Sequence, residues 1–338
     1  MNKTFTSDSS ASIRDVAQLA NVSIATVSRV VNGNGYVSEQ TAEKVRKSIE
    51  QCGFVPNIAA RSMRTRKAPI IGFLVGSIRN EYFSDLATNL QRLFMQRGYF
   101  VIICATDNVA ETEQASIDML QAQNASGIIM IGSDKITVRL AKDIPTVLID
   151  SLPPDNYTGP IACVESDNRN GGYLATTELI QKGCKNIALF SGPANSYTSR
   201  MRSEGYFAAL MEAKLPLDLR RVFYFTGYDY ANGELLVEQL LASGQPFDGI
   251  FAICDYVVQG SLDALEKHHI KVPEDVKVVG FDDLYMAQCS GRKLTTVHQY
   301  SDRIAQITFD LLYGMIQGTV LETQNAIVPT YLVRRGTT

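Results

Sequence analysis

Hydrophobic positions along the chain obey two different rules. Between Ile13 and Cys52 they recur every third or fourth residue in three short runs, the spacing of helices with one apolar face. Ile13, Val16, Ala17 and Ala20 mark the first run; Val27, Val30 and Val31 the second; Ala42, Val45, Ile49 and Cys52 the third. From Pro69 onward, short apolar runs alternate with amphipathic stretches. The runs predict strands at Ile70–Val75, Phe100–Cys104, Gly127–Ile131, Thr146–Ile149, Ala162–Val164, Ile187–Ser191, Val222–Phe225, Ile250–Ile253, Val276–Phe281 and Thr295–His298. Helices are predicted between most of them, at Tyr82–Arg97, Ala110–Ala122, Asn168–Lys182, Ser199–Ala213, Tyr230–Ser243, Tyr256–His268 and Ser301–Ile316. Strands alternating with helices imply parallel sheets joined by right-handed crossovers, and so many strands imply two sheets.

Local chemistry sharpens the first region. Ser12-Ile13-Arg14-Asp15 reads as a capping box. Asn21-Val22-Ser23 is a tight break, after which Ser23 caps a second helix from Ile24 to about Val31. A third helix runs from near Ser38 to Cys52, with Gly53 suited to its end. Two short helices across a three-residue turn form a helix-turn-helix, whose second helix reads the major groove. Away from its valines that helix presents Ile24, Ala25, Ser28, Arg29 and Asn32. Arg29 has the fork for guanine O6 and N7, and Ile24 and Ala25 suit a thymine methyl. Thr26, Ser28 and Asn32 suit phosphates. The competing reading is a three-helix bundle used only for docking.

Charge supports the DNA reading once it is divided. The 338-residue chain carries a net charge of -3, which speaks against a nucleic-acid partner. Residues 1 to 68, however, hold ten Lys and Arg against five Asp and Glu, leaving 22 basic and 30 acidic groups for the remainder. A head of +5 on a body of -8 is the asymmetry of a nucleic-acid-binding head. No apolar run is long enough for a membrane span, and the first residues lack the apolar stretch of a secretory signal. The six cysteines show no CxxC spacing, so neither a redox pair nor a zinc site is expected. A reduced, cytoplasmic protein follows. There is no GxGxxG, Walker A or GxSxG motif, and the three histidines read as core or surface residues. Neither a cofactor nor a metal is expected, nor catalysis.

The stretches IRDVAQLANVSIATVSRVVNG (Ile13–Gly33) and GYVSEQTAEKVRKSIEQCGFVPNIAARSMR (Gly35–Arg64) resemble the DNA-binding head of the lactose-repressor (LacI/GalR) family of transcription regulators. The resemblance implies a hinge helix around Asn57–Arg64, two copies of which meet in the minor groove, with Asn57, Ala60, Arg61, Met63 and Arg64 as DNA-binding residues and Arg61 and Arg64 on phosphates. Eight residues are too few for a stable isolated helix, so this segment would fold on DNA. Met63 stands where the family usually places a wedging leucine. The alternative is a plain basic linker.

The body is similar to the family's effector domain, which implies two α/β lobes of the periplasmic-binding-protein type, crossed by the chain near Asp167, His298 and Ala326. The implied organisation is an all-α head at 12–56, a hinge at 57–68 and an effector and dimerisation domain at 69–338. Lobe one would hold 69–167 and 299–326, and lobe two 168–298 and 327–338. Ligands of open α/β sheets bind beyond the carboxyl ends of strands. After the first strand the family has Asn-Pro-Phe-Phe; here Asn80-Glu81-Tyr82-Phe83 stands, and Tyr82 or Phe83 would stack on a ring or merely staple the helix start. Arg202, in RSEGYFAAL, and Asp282, in VVGFDD, match the family's ligand-binding arginine and aspartate. Asp255 follows Cys254 where the family often has Asn-Asp, and Asp150 closes a strand as a further candidate. No leucine-heptad tail follows Val333, so the resemblance implies a homodimer on a palindromic operator of double-stranded DNA.

The reading is a DNA-binding repressor of a carbohydrate-utilisation operon, switched by a sugar-like small molecule. A nucleobase- or nucleoside-responsive repressor of the same family is the alternative. A solute-binding protein is disfavoured, because it has no use for residues 12 to 67.

Overall fold

The computed structural model describes residues 11–32, 35–54, 67–131, 137–194, 196–289, 291, 293–319 and 323–338. The hinge candidates Asn57, Ala60, Arg61, Met63 and Arg64 lie outside them. The chain forms two compact units, Met1–Ala68 and Pro69–Thr338.

The first unit holds α1 (Ile13–Ala20), α2 (Ile24–Asn32) and α3 (Glu39–Cys52). The capping box is present: Ser12 Oγ accepts from the Asp15 N–H at 3.4 Å, and Asp15 Oδ2 accepts from the Ser12 N–H at 2.8 Å. Asn21 ends α1 in the left-handed region, and Ser23 Oγ takes the Thr26 N–H at 3.1 Å to start α2. Gly53, at φ +64°, ends α3, where a side chain would be strained. Val16, Ala17, Ala20, Val27 and Val45 form the core of this small unit. The hydrophobic spacing of each helix therefore faces inward, as its period requires.

In the second unit, lobe one begins with β1 (Ala68–Val75), α4 (Glu81–Met95), β2 (Phe100–Ala105), α5 (Ala110–Ala122), β3 (Ala125–Ile131), β4 (Thr146–Ile149) and β5 (Ile161–Ser166). Lobe two follows with α6 (Asn168–Gln181), β6 (Ile187–Ser191), α7 (Tyr197–Glu212), β7 (Val222–Tyr224), α8 (Tyr230–Ala242), β8 (Gly249–Ala252), α9 (Asp255–Lys267), β9 (Lys277–Asp282), α10 (Tyr285–Cys289) and β10 (Thr295–His298). The chain then returns to lobe one for α11 (Ser301–Ile316) and β11 (Asn325–Val328), and ends in lobe two with β12 (Tyr331–Val333). The sheets run β11-β5-β4-β3-β1-β2 and β12-β10-β9-β8-β6-β7. Strand β12 lies antiparallel on β10, at the edge of an otherwise parallel arrangement of β7, β6, β8, β9 and β10.

Two short strands, β11 and β12, join the ten that the apolar runs predict. They are edge strands of four and three residues, separated only by Pro329 and Thr330, so their apolar stretches are too short and too close together to read as two strands. Ile327 and Val328 pair with Glu165 and Ser166 of lobe one. The third crossing therefore lies at Pro329 and Thr330, just beyond the expected Ala326. Lobe two packs around Phe190, Phe251 and Phe281, and lobe one around Ile71, Phe73, Leu86 and Phe94.

Candidate functional site

The strand ends of the two lobes face each other across a cleft. Of the six candidates in this unit, Tyr82, Phe83, Asp150, Arg202 and Asp282 line it. Asn80 caps α4 by accepting the Tyr82 N–H at 3.0 Å, which fixes where the two aromatic rings emerge. Their centroids lie 5.6 Å apart, edge to face.

Arg202 is the centre of the polar cluster. It sits on the second turn of α7, 5% exposed, with its guanidinium carbon 3.6 Å from the centroid of the Phe281 ring. Nε donates to Asn168 Oδ1 at 2.8 Å; Nη1 donates to the Ile253 carbonyl at 2.6 Å and approaches Asp282 Oδ1 at 3.3 Å. The opposite side of Asn168 donates to Asp150 Oδ1 at 2.8 Å, and the Ser166 N–H reaches the same oxygen at 3.0 Å. Gln299 donates to Asp282 Oδ1 at 2.7 Å, while its own Oε1 is buried without a partner among the described residues.

Both cleft aspartates stand where a strand turns sharply, Asp150 at φ +49° and Asp282 at φ +112°. Such backbone is costly for a residue with a Cβ and is typically retained at functional sites. Burial pushes each carboxyl up to about 6, against the pull of Arg202. Burial also raises the Tyr82 phenol, which is neutral near pH 7.

Asp255 does not line the cleft. It is fully buried behind the floor, where Oδ1 accepts from Thr296 Oγ1 at 2.6 Å and Oδ2 from the Leu284 N–H at 3.0 Å. The first turn of α9 aims it between β9 and β10, so it anchors the wall that carries Asp282. Burial, then the neighbouring Asp282, raises its carboxyl.

The cleft also holds Asn108, Ser196, Thr198, Tyr228 and Gln299, which the sequence reading passed over. Gln299 directly follows β10 and Asn108 comes three residues after β2, so the strand-end rule applied throughout would have found both. Asn168, behind Arg202, carries no comparable signal.

In the first unit, α2 turns Ala25 and Arg29 to solvent, and Ile24, a large apolar side chain, is 45% exposed. Thr26 and Ser28 are half-buried, with Thr26 tied to the Ser23 cap, and Asn32 closes the helix. The Arg29 stem lies over Gly35, with Cδ 3.7 Å from where a Cβ would stand. This face has the donors and apolar groups that major-groove edges and phosphates require.

Residues 12–57 match the model for bacterial regulatory proteins of the lacI family, and residues 68–335 match that for periplasmic binding proteins and the sugar-binding domain of the LacI family. The chain belongs to the LacI family. This LacI-family member is a DNA-binding repressor. It is 31% identical over 325 residues to the ribose operon repressor of Lactococcus lactis subsp. lactis, covering 96% of this chain and 97% of that one. Identity to the HTH-type transcriptional repressor PurR of Vibrio parahaemolyticus is 32% over 336 residues, covering 96% and 99%. The lac repressor dimer bound to operator and an anti-inducer superposes with a TM-score of 0.82 at 25% identity, covering 97% of this chain and 99% of that one. The family and these relatives are transcriptional regulators. No helix among the described residues is long and apolar enough to cross a membrane, and no group of three or more metal-binding side chains occurs among them.

Proposed function

We propose that this repressor acts as a cytoplasmic homodimer on a palindromic operator of a carbohydrate-utilisation operon and responds to a neutral, polyhydroxylated molecule bound between its lobes. The observation that carries the effector class is the Arg202 cluster. A planar donor fork and two carboxylates converge on one cleft, beside the free acceptor Gln299 Oε1. Vicinal hydroxyls both donate and accept, and so match such a set. Two carboxylates against one guanidinium oppose an anionic ligand. Asp282 and Arg202 are read as the principal contacts, with Asp150 helping to orient Arg202 through Asn168 and with Tyr82 and Phe83 supplying an apolar wall.

The head residues Ile24, Ala25 and Arg29 are read as base contacts, and Thr26, Ser28 and Asn32 as phosphate contacts. Exposed apolar strand edges support the dimer: Phe100, Ile102 and Ile103 on β2, and Tyr224 on β7, are 37% to 59% exposed.

A nucleobase effector is the second reading, favoured by the Tyr82, Phe83 and Tyr228 rings in the cleft and by the PurR relatives. A thermal-shift panel of free sugars, sugar phosphates and nucleobases separates the two. A ligand that binds only the folded state at 100 times its Kd adds about 2.7 kcal/mol of stability. The sugar reading expects a shift from a free sugar that also changes operator binding in fluorescence anisotropy. A shift from nucleobases alone would replace it with the second reading.

A further inference from the structure

We propose that Glu81 is a positioning residue: its carboxylate locks lobe two onto lobe one and so holds the two walls of the cleft in register. Glu81 opens α4 in lobe one, immediately before Tyr82. Its Oε1 accepts the backbone N–H of Tyr285, in lobe two, at 2.9 Å. That N–H belongs to the first residue of α10, so the helix itself offers it no acceptor. Beside it, Tyr256 of α9 donates its hydroxyl to the Arg79 carbonyl of lobe one at 3.4 Å, a second bond across the gap.

Packing points the same way. Leu284 precedes Tyr285 in the lobe-two chain, yet it is 4% exposed and packs in the core of lobe one, with Met286 against the same cluster. The turn after β9 is thus an apolar plug seated in the opposite lobe, and Tyr256 touches the cores of both. The plug begins two residues after Asp282, whose neighbour Asp283 also has positive φ. Asp283 is itself held by Arg335 at 2.6 Å and His298 at 2.9 Å, so the base of the plug is fixed to lobe two. On that fixed base the Glu81 bond adds to the Leu284 packing and the Tyr256 bond in keeping the tip seated.

The lock needs no ligand. Its consequence for affinity rests on the ligand-cleft reading above: a ligand that touches Tyr82 and Asp282 together binds only while the lobes are in register, and its apparent affinity scales with that fraction.

Hydrogen-exchange mass spectrometry of the full chain tests the lock without added ligand. The variants are Glu81→Ala, Glu81→Pro and Glu81→Gln; proline suits a first helical position, and glutamine keeps an oxygen acceptor. The Ala and Pro variants should exchange at least threefold faster in peptides covering 77–86 and 281–287. The Gln variant should match the parent, and peptides from the central strands β3 and β8 should not change. Parent-like exchange at 281–287 in Glu81→Ala, or fast exchange in Glu81→Gln, would overturn the proposal. So would acceleration spread equally over β3 and β8, which would assign Glu81 to global stability. The result does not depend on which molecule the cleft takes.

Discussion

Gly172→Ala should weaken effector binding without touching the cleft. Gly172 lies on α6 where that helix crosses α7, and an added Cβ would stand 2.1 Å from the Arg202 carbonyl oxygen. Backbone cannot swing aside as a side-chain tip can, so α7 must move away from α6. Restoring ordinary contact takes a displacement of about 1 Å. Arg202 rides on α7, while its partner Asn168 rides on α6 at 2.8 Å. The same displacement would stretch that bond toward or beyond hydrogen-bonding range. A guanidinium displaced this far loses a charged hydrogen bond to the ligand, worth about 1.5–3 kcal/mol, or about 10- to 150-fold in effector affinity. Overpacking adds about 1–3 kcal/mol of lost stability, so a control must share it. Gly72→Ala places a Cβ 2.1 Å from Leu120 Cδ1, between β1 and α5, which carry none of the cleft-lining side chains. Calorimetric titration of the active effector, with melting curves for both variants, separates the effects. Gly172→Ala should lose affinity and Gly72→Ala should lose only stability. Parent-like affinity in Gly172→Ala, or an equal loss in both, would refute the claim that this crossing positions Arg202.

Three further outcomes follow from the same geometry. Arg29→Ala should relax base preference at one operator position by about 1–3 kcal/mol, measured by anisotropy on a panel of single-base operator variants; an equal loss on every sequence would make Arg29 a phosphate contact. Operator affinity should fall steeply with added salt, because the basic head displaces counterions, and a flat salt profile would contradict phosphate neutralisation. Asp150 has a folded-state pKa raised to about 6, so its ionisation opposes folding and its penalty grows as pH rises from about 4 to 6. Asp150→Asn keeps the acceptor oxygen and loses no proton; it should raise the melting temperature at pH 7 by an amount that vanishes below about pH 4, while weakening the effector response. A pH-independent difference would remove burial of the charge as the cause.

What the sequence disclosed depended on whether function coincided with a periodic or positional signal. The three helices of the head were legible because Ser12, Ser23 and Ser38 each precede an apolar stripe, and local caps need no tertiary context. Arg202 and Asp282 were legible from the runs that surround them, and both reach the cleft. Asp255 follows β8 as the strand-end rule asks, yet it does not line the cleft. One residue further into a helix rotates a side chain by about 100°, enough to turn it from the cleft to Thr296. Gln299 is one polar residue between a strand and a helix, marked by its place after β10 and by no run around it. Leu284 was hidden for a different reason: an apolar residue in a turn has no period, and its core belongs to the other lobe.

These placements bear on how a ligand signal leaves the cleft. A ligand shifts an equilibrium only by its differential affinity for the two states. In this repressor the residues that would sense a ligand are close chain neighbours of the ones that join the lobes. Tyr82 follows Glu81, and Asp282 lies two positions before Leu284, so a contact made on either wall acts on an end of the lobe-to-lobe lock. Rigid supports stand behind each: the Asn80 cap behind Tyr82, and the Asp255 anchor together with the Asp283 pairs behind Asp282. Closely packed elements exchange one discrete arrangement for another rather than deforming gradually. Occupancy of the cleft would therefore reach the rest of lobe one as a seated or unseated plug, and the strength of the Glu81 bond would set the ligand concentration at which that change occurs.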